Sequence, residues 1–389
     1  MGWGGVAVLV AVLAVAYSAA RRANAYETEL LVLEAELAGC AEWSADVAGD
    51  VAARYAEQVQ QLRSMLERAQ LEPEDLHPHR ERAAPRPRAI PRVTNLTFAE
   101  FFHEYACSQT PVIVTDVAHN MRADGSGLWT TDEIVAACPE LDVPLRKYDK
   151  ASGLWGGLAD TSLRRSLASF AAARSRAGNE WFVFDASLKA CKAFVDDFAA
   201  LPYFANDYYR RLPPDAPKPG WPSLFMGPAG ATTAVHIDAY GTAFWMTVLD
   251  GAKEWLIAPP AAREHLYYDA LKQSFAPGLD LFDLDLAAFP LAGHVELLTA
   301  TLVPGEWLFV PAGSPHAVRN LAPTTALAGN FIDAANHAHA LDVMAREKAG
   351  SRARARRAAF AAVDTRMMVA PPAGLAWRDF NARWPASPT

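Results

Sequence analysis

The sequence predicts a mainly β fold, a barrel or sandwich with flanking helices, preceded by an N-terminal helical segment. Three observations carry that expectation. Short runs of strand-forming residues recur between Pro111 and Ile332, separated by Gly/Pro turns. A Pro-free stretch rich in Ala, Leu and Glu runs from Tyr26 to Gln70 and is cut off from them by a proline-rich segment, Glu72–Arg92. From Ala335 onward the pattern turns helical again. The implied divisions are 1–25, 26–71, 72–92, 93–335 and 336–389.

The N-terminal elements come first. Gly2–Ala20 carries no charge and is long enough, just, to cross a bilayer as a helix, with Trp3 and Tyr17 suited to the two interfaces. A single-pass membrane anchor is therefore expected, with a cleaved signal segment (Ala23-Asn-Ala25) and an Ala-rich soluble helix as rivals. Arg21 and Arg22 favour the cytosolic face for the C-terminal side of that anchor, whereas the sequon Asn95-Leu-Thr97 favours the secretory pathway. Leu30, Leu33 and Leu37, then Val51, Tyr55, Val59, Leu62 and Leu66, recur at helical spacing. That face suits either a self-pairing stalk, and hence a homodimer, or a helix packed on the main domain.

Within the main region, Thr97 and Glu100 form a capping-box pattern ahead of a short helix, and Thr130–Glu133 opens another. Pro111–Thr115, Val143–Tyr148 and Trp181–Phe184 read as strands, and Ser162–Arg176 as a helix whose arginines make a solvated face. Later strands are expected at Leu224–Met226, Ala234–Ile237, Ala243–Leu249, Glu254–Ala258, Val295–Leu302, Trp307–Val310, Ala317–Asn320 and Ala326–Ile332. Asp250-Gly251 between two alternating runs reads as a hairpin turn, and Ala261–Leu271 as a helix. The net charge of −8 argues against a general nucleic-acid partner. Cys40, Cys107, Cys138 and Cys191 are scattered, which excludes a zinc ribbon; they fit a reducing compartment, with one or two disulfides in a secretory compartment left open.

The chemistry gathers in Thr232–Pro260. His236 and Asp238 are two apart on a strand, so both point to one side and can hold two positions of one metal. His316, directly after the tight turn Pro311-Ala-Gly-Ser-Pro315, would complete a two-His, one-carboxylate face. Lys253 can point inward from the next strand, where a buried ammonium needs a negative partner such as a dicarboxylate.

These segments resemble the Jumonji C (JmjC) family, near its branch of protein lysyl hydroxylases. The matching pieces are Val235-His-Ile-Asp238, Gly241-Thr242, Trp245, Gly251-Ala-Lys-Glu-Trp255, Pro304-Gly-Glu306, Phe309-Val-Pro311, His316 and Asn330-Phe331, over roughly Val93–Asp333. The resemblance implies a double-stranded β-helix (cupin or jelly-roll) that binds Fe(II), 2-oxoglutarate and O2. It implies His236, Asp238 and His316 as iron ligands and Lys253 on the distal carboxylate of 2-oxoglutarate, with Thr233 as a hydroxyl donor. Where relatives carry polar side chains, this chain has Phe182, Met246 and Ala328; Asn330 and Tyr240 are the groups that could substitute. The implied activity is hydroxylation of a protein or peptide side chain. N-methyl-lysine demethylation and a non-catalytic cupin-like binding module are the rivals. Trp245 and Trp255 read as core aromatics, His337 and His339 as surface residues, and Tyr203–Pro222 and Ala261–Gly293 as the loops framing the substrate groove.

Overall fold

The computed structural model describes residues 86–363 and 365, except 153, 160–161, 177, 200, 205, 214–215, 217–221, 270–271, 347–350 and 364. All of them belong to the unit Ala84–Thr389. The expected anchor at Gly2–Ala20, the helical stretch Tyr26–Gln70, most of the proline-rich segment and the end of the tail lie outside the described residues.

The strands are β1 (Arg88–Ala89), β2 (Arg92–Val93), β3 (Val112–Val114), β4 (Asp142–Lys147), β5 (Arg164–Ser166), β6 (Trp181–Ser187) and β7 (Ser223–Gly227), then β8 (Thr232–His236), β9 (Ala243–Asp250), β10 (Lys253–Ile257), β11 (Leu298–Leu302), β12 (Trp307–Val310), β13 (His316–Asn320) and β14 (Thr324–Phe331). They form two sheets, ordered β2-β3-β12-β9-β14-β7-β6-β4-β5 and β1-β11-β10-β13-β8. Between β7 and β14 the chain changes sheet at every connection but one, that from β10 to β11. This alternation winds the two sheets into a jelly-roll barrel. Asp250-Gly251 is therefore not a hairpin turn: β9 pairs with β12 and β14, β10 with β11 and β13. The dipeptide makes the sharp turn expected, with Gly251 at φ +83°, but it passes the chain across the barrel.

Alternation on the strands fills the interior. Phe244, Met246 and Val248 of β9 meet Trp255, Ile257, Leu308, Val310, Ala326 and Ala328 between the sheets. The opposite face of the larger sheet is also covered. Trp245 stacks on Phe204, with ring centroids 5.2 Å apart, and Trp307 and Phe309 pack on Phe101. Trp245 and Trp255 are thus core aromatics, as expected, at 0% and 1% exposure. The segment after β10 packs Leu266, Phe275 and Leu281 onto Val235 and Leu256, closing the outside of the smaller sheet.

Helix α1 (Phe98–Glu100), continued as a π-turn through Phe101–Ala106, begins with the capping box read from the sequence, and α2 (Thr131–Ala137), expected as a helix start, opens on a second one at Thr130 and Glu133. Then come α3 (Leu167–Ala171), α4 (Lys192–Asp197), α5 (His337–Arg346) and α6 (Ser351–Ala361). Two helix expectations are corrected. Arg164 and Arg165 lie in β5, not in a helix, and Arg174 is no solvated group: it reaches Asp250 at 3.1 Å and Thr325 at 2.7 Å. Ala261–Leu271 makes only the 3-10 turn Pro260–Ala262 and further turns among its described residues. Cys138, at the end of α2, is joined by a disulfide to Cys191, at the start of α4.

The membrane-anchor expectation is corrected too. Among the described residues no helix is long and apolar enough to cross a membrane. The longest, α6, has 11 residues, about 17 Å against a hydrocarbon core of about 30 Å.

Candidate functional site

Strand register brings the predicted residues together. His236 ends β8 and is paired with His316 at the start of β13, and their rings lie 4.1 Å apart. Asp238 comes two residues later, still extended at φ −64°, ψ 145°, so its side chain keeps to the side of His236. The next turn, Ala239–Gly241, is tight: Tyr240 adopts φ +63°, a left-handed conformation uncommon outside glycine. Gly241 is needed because a Cβ there would meet Ala340 Cα of α5 at 2.8 Å. One ligand atom from each of His236, Asp238 and His316 falls within 4.8 Å of the others.

Both imidazoles are oriented by the same device. Nδ1–H of His236 donates to the Ala234 carbonyl at 2.8 Å, and Nδ1–H of His316 to the Ser314 carbonyl at 2.9 Å. Each Nε2 is left as the lone-pair donor, the arrangement a metal-binding histidine requires. Burial, reinforced by His316, pushes the His236 pKa well below its ordinary value, and burial takes His316 to about 4. Both rings are therefore neutral near pH 7. Asp238 is pushed up to about 7, first by burial and then by the nearby Asp185 carboxylate, while a hydrogen bond from Asn330 opposes the shift. The donor set, two neutral imidazoles and one carboxyl that a cation would deprotonate, fits a divalent iron.

The cluster opens into a cavity of about 510 Å³. At its other end lies Lys253, 8% exposed, with Nζ 2.7 Å from Oδ1 of Asn320. Pairing of β10 with β13 sets Lys253 opposite Asn320, and the Asn320 amide also donates to the Pro228 carbonyl at 3.0 Å. Burial takes the lysine down to about 8. Thr233 lines the same cavity. Asn330 lines it too, and its amide donates to Thr242 at 3.0 Å as well as meeting Asp238. Tyr240 lines a separate outer cleft, under the guanidinium of Arg356 at 3.9 Å. Met246 gives the inner cavity part of an apolar wall, and its direct neighbour on β14, Ala328, packs in the same core cluster.

Several residues of the site went unread in the sequence. Asn320 is one. Trp155 is another: its indole N–H donates to the Ile237 carbonyl at 2.8 Å and its ring lies 4.3 Å from His236. The adjacent Gly156, at φ +64°, sits where a Cβ would approach Thr233 Cγ2 to 2.8 Å. Asp185 faces the cavity from a bulge in β6, at φ +53°, and accepts a hydrogen bond from Ser223. Of the two expected groove loops, the second supplies Arg263, Tyr268 and Gln273 to the outer cleft. Tyr203, Tyr208 and Tyr209 of the first are buried in the core instead. His337 and His339 are half-buried rather than surface residues: His337 meets the Phe360 carbonyl and His339 lines the outer cleft.

A barrel of alternating sheets that gathers two histidines and a carboxylate is the arrangement of a candidate cupin-type metal centre. The sequence model of the cupin-like domain matches residues 98–335, and the chain belongs to that family; it is similar to proteins named as Jumonji-type demethylases and as 2-oxoglutarate- and iron-dependent oxygenases. Its relatives include a lysine-specific demethylase, JMJ21, of Arabidopsis thaliana, 26% identical over 64% of this chain and 26% of the relative. A bifunctional arginine demethylase and lysyl-hydroxylase, psr-1, of Caenorhabditis elegans is 25% identical over 62% of this chain and 60% of its own. The human 2-oxoglutarate and iron-dependent oxygenase JMJD4 is 29% identical over 38% and 36%. The chain thus spans less than two thirds of the length of each of these relatives.

Proposed function

We propose that this protein is an Fe(II)- and 2-oxoglutarate-dependent dioxygenase that hydroxylates a side chain of a protein or peptide. The observation that carries the reading is one cavity with His236, Asp238 and His316 at one end and the buried Lys253 at the other. The names of the relatives, which include a lysyl-hydroxylase and iron-dependent oxygenases, support it.

His236, Asp238 and His316 would hold the iron. Bound iron would supply O2 activation, coupling decarboxylation of 2-oxoglutarate to succinate and CO2 with insertion of one oxygen atom into a substrate C–H bond. The chain's own residues do the rest. Lys253, held by Asn320, offers an ammonium to the distal carboxylate, and Thr233 offers a hydroxyl beside it. The carbonyls of Ala234 and Ser314 fix the imidazole tautomers, and Asn330 orients the Asp238 carboxylate. Trp155 shields His236 from bulk water on the cleft side. The apolar wall of Met246, Phe244 and Trp255 keeps the interior dry, which strengthens each of these polar contacts.

The test is release of succinate from 2-oxoglutarate by the full chain with Fe(II), with His236→Ala and Asp238→Ala in parallel. Iron-dependent turnover that both substitutions abolish is expected; full turnover by either variant refutes the ligand assignment. Formaldehyde released from methylated peptides would move the reading to demethylation.

A further inference from the structure

Strand β6 breaks its own alternation at the wall of the inner cavity. Adjacent side chains on a regular strand point to opposite faces, yet Phe184 and Asp185 both line the cavity. The cause is the bulge: pairing with β7 shifts register between Val183 and Ala186, and Asp185 takes φ +53°. A left-handed backbone at a residue other than glycine is strained, and here it turns a carboxylate toward the site. Among the described residues, Ser223 of β7 donates the one hydrogen bond that the Asp185 carboxylate receives, and no lysine or arginine pairs with it. An ionised carboxylate has about four acceptor positions, so room is left for a ligand. Aromatic rings surround the group. Phe184 lies 5.8 Å from Trp155 and 5.1 Å from Phe225, and all three line the cavity. Lys253 is the one lysine or arginine among the described lining residues, and it is tied to Asn320 at the far end. Asp185 stands at the other end, near enough to act on Asp238. An aliphatic stem fits against the rings, and a cation at its tip gains from both the ring faces and the carboxylate.

We propose that Asp185 is the recognition group for a cationic side chain of the polypeptide substrate, an aliphatic stem that ends in an ammonium or a guanidinium. The proposal rests on the protein-directed dioxygenase reading and deepens it: Asp185 selects which side chain enters, while the metal end acts on it. An acidic side chain would meet Asp185 and Asp238 as like charges, and a neutral apolar one would cover the Asp185 carboxylate without offering it a donor. A metal on Asp238 would leave Asp185 as the one unliganded carboxylate among the described lining residues.

The experiment measures fluorescence anisotropy of the full chain, loaded with Mn(II) and 2-oxoglutarate, against short fluorescein-labelled peptides. These carry one central lysine, arginine or norleucine in a Gly/Ser background. The lysine or the arginine set should bind about tenfold more tightly than the norleucine set, which keeps an aliphatic stem and lacks the charge; the tighter of the two names the head group. Asp185→Asn removes the charge and keeps a residue that tolerates a left-handed backbone, so the strand should fold as before and the preference should vanish. Asp185→Gly, which adopts that backbone freely, should do the same. Equal binding of all three sets by the wild type overturns the proposal, and so does a preference that survives in Asp185→Asn. An equal loss in Asp283→Asn, whose side chain is 88% exposed on the segment after β10, also overturns it, since that would mark attraction by the net charge of −8. Succinate release by the wild-type protein is measured alongside. A cation preference without succinate release removes the dioxygenase reading and leaves the recognition group; succinate release without the preference does the reverse.

Discussion

Replacing Lys253 with Met should make the protein more stable and unable to use its cosubstrate. Lys253 is 8% exposed, and its ammonium is hydrogen-bonded to the neutral Asn320. Its pKa falls from an ordinary 10.5 to about 8. Near neutral pH the folded state therefore holds this charge at a penalty of about 3 kcal/mol, at ~1.4 kcal/mol per pH unit. Met fills similar volume without the charge but strands the Asn320 carbonyl, which costs about 1–2 kcal/mol. The net gain is about 1–2 kcal/mol, or roughly 3–6 °C in Tm for a domain of this size. The sign comes from the titration. The penalty is full below about pH 8 and is relieved as pH rises toward 10.5, so the advantage of Lys253→Met should shrink over that window. Calorimetry of the metal-free protein at several pH values reads the gain directly. Added 2-oxoglutarate with Mn(II) should raise the Tm of the wild type and leave the variant almost unmoved, because losing one partner of a buried ion pair weakens binding by about 30-fold or more. A variant that is less stable than wild type at pH 7, or that keeps the full shift with 2-oxoglutarate, would refute the reasoning.

The same geometry sets other outcomes. Wild-type affinity for 2-oxoglutarate should fall above pH 8, as the Lys253 ammonium loses its proton, by up to about tenfold per pH unit; titration calorimetry measures it. Asn330→Ala should weaken Mn(II) binding about 10–100-fold, since the Asp238 carboxylate loses its orienting donor; metal titration with the purified protein checks this. Gly156→Ala should lower both stability, by about 1–2 kcal/mol, and turnover, because its Cβ would press on Thr233 at φ +64°; chemical denaturation and succinate release report the two effects. The Cys138→Ser/Cys191→Ser pair, which opens a link across 53 residues, should cost about 2–4 kcal/mol in denaturant melts.

The strands were legible because runs such as Pro111-Val-Ile-Val-Thr115 and Trp307-Leu-Phe-Val310 carry strong local signals, and the capping box at Thr97 and the helix start at Thr130 were legible for the same reason. The three-residue cluster at His236, Asp238 and His316 was legible because ordered spacing and turn context survive in one dimension. Turn chemistry, however, encodes a local reversal and not which sheet the next strand joins, so Asp250-Gly251 looked like a hairpin. Partners distant in sequence left no trace either. Asn320 lies 67 residues from Lys253, and Trp155 lies 82 residues from the carbonyl it binds. Arg174 read as a surface charge because nothing nearby announces Asp250 and Thr325 as its partners. His339 looked like a surface residue because the groups that bury it come from other elements.

Strand β13 carries His316 at one end and Asn320 at the other, so the ladders on its two edges align a proposed iron ligand with His236 of β8 and the lysine clamp with Lys253 of β10. A slip by one residue would turn both side chains to the outer face together. Neither half of the centre can then drift without the other. The irregularity between His316 and Val318 against β8 is the point at which that alignment is adjusted. Insertions in the long segment between β10 and β11 leave this register alone, whereas a single-residue insertion inside β13 would put His316 and Asn320 on opposite faces, so that the two anchoring points could no longer both face the cavity.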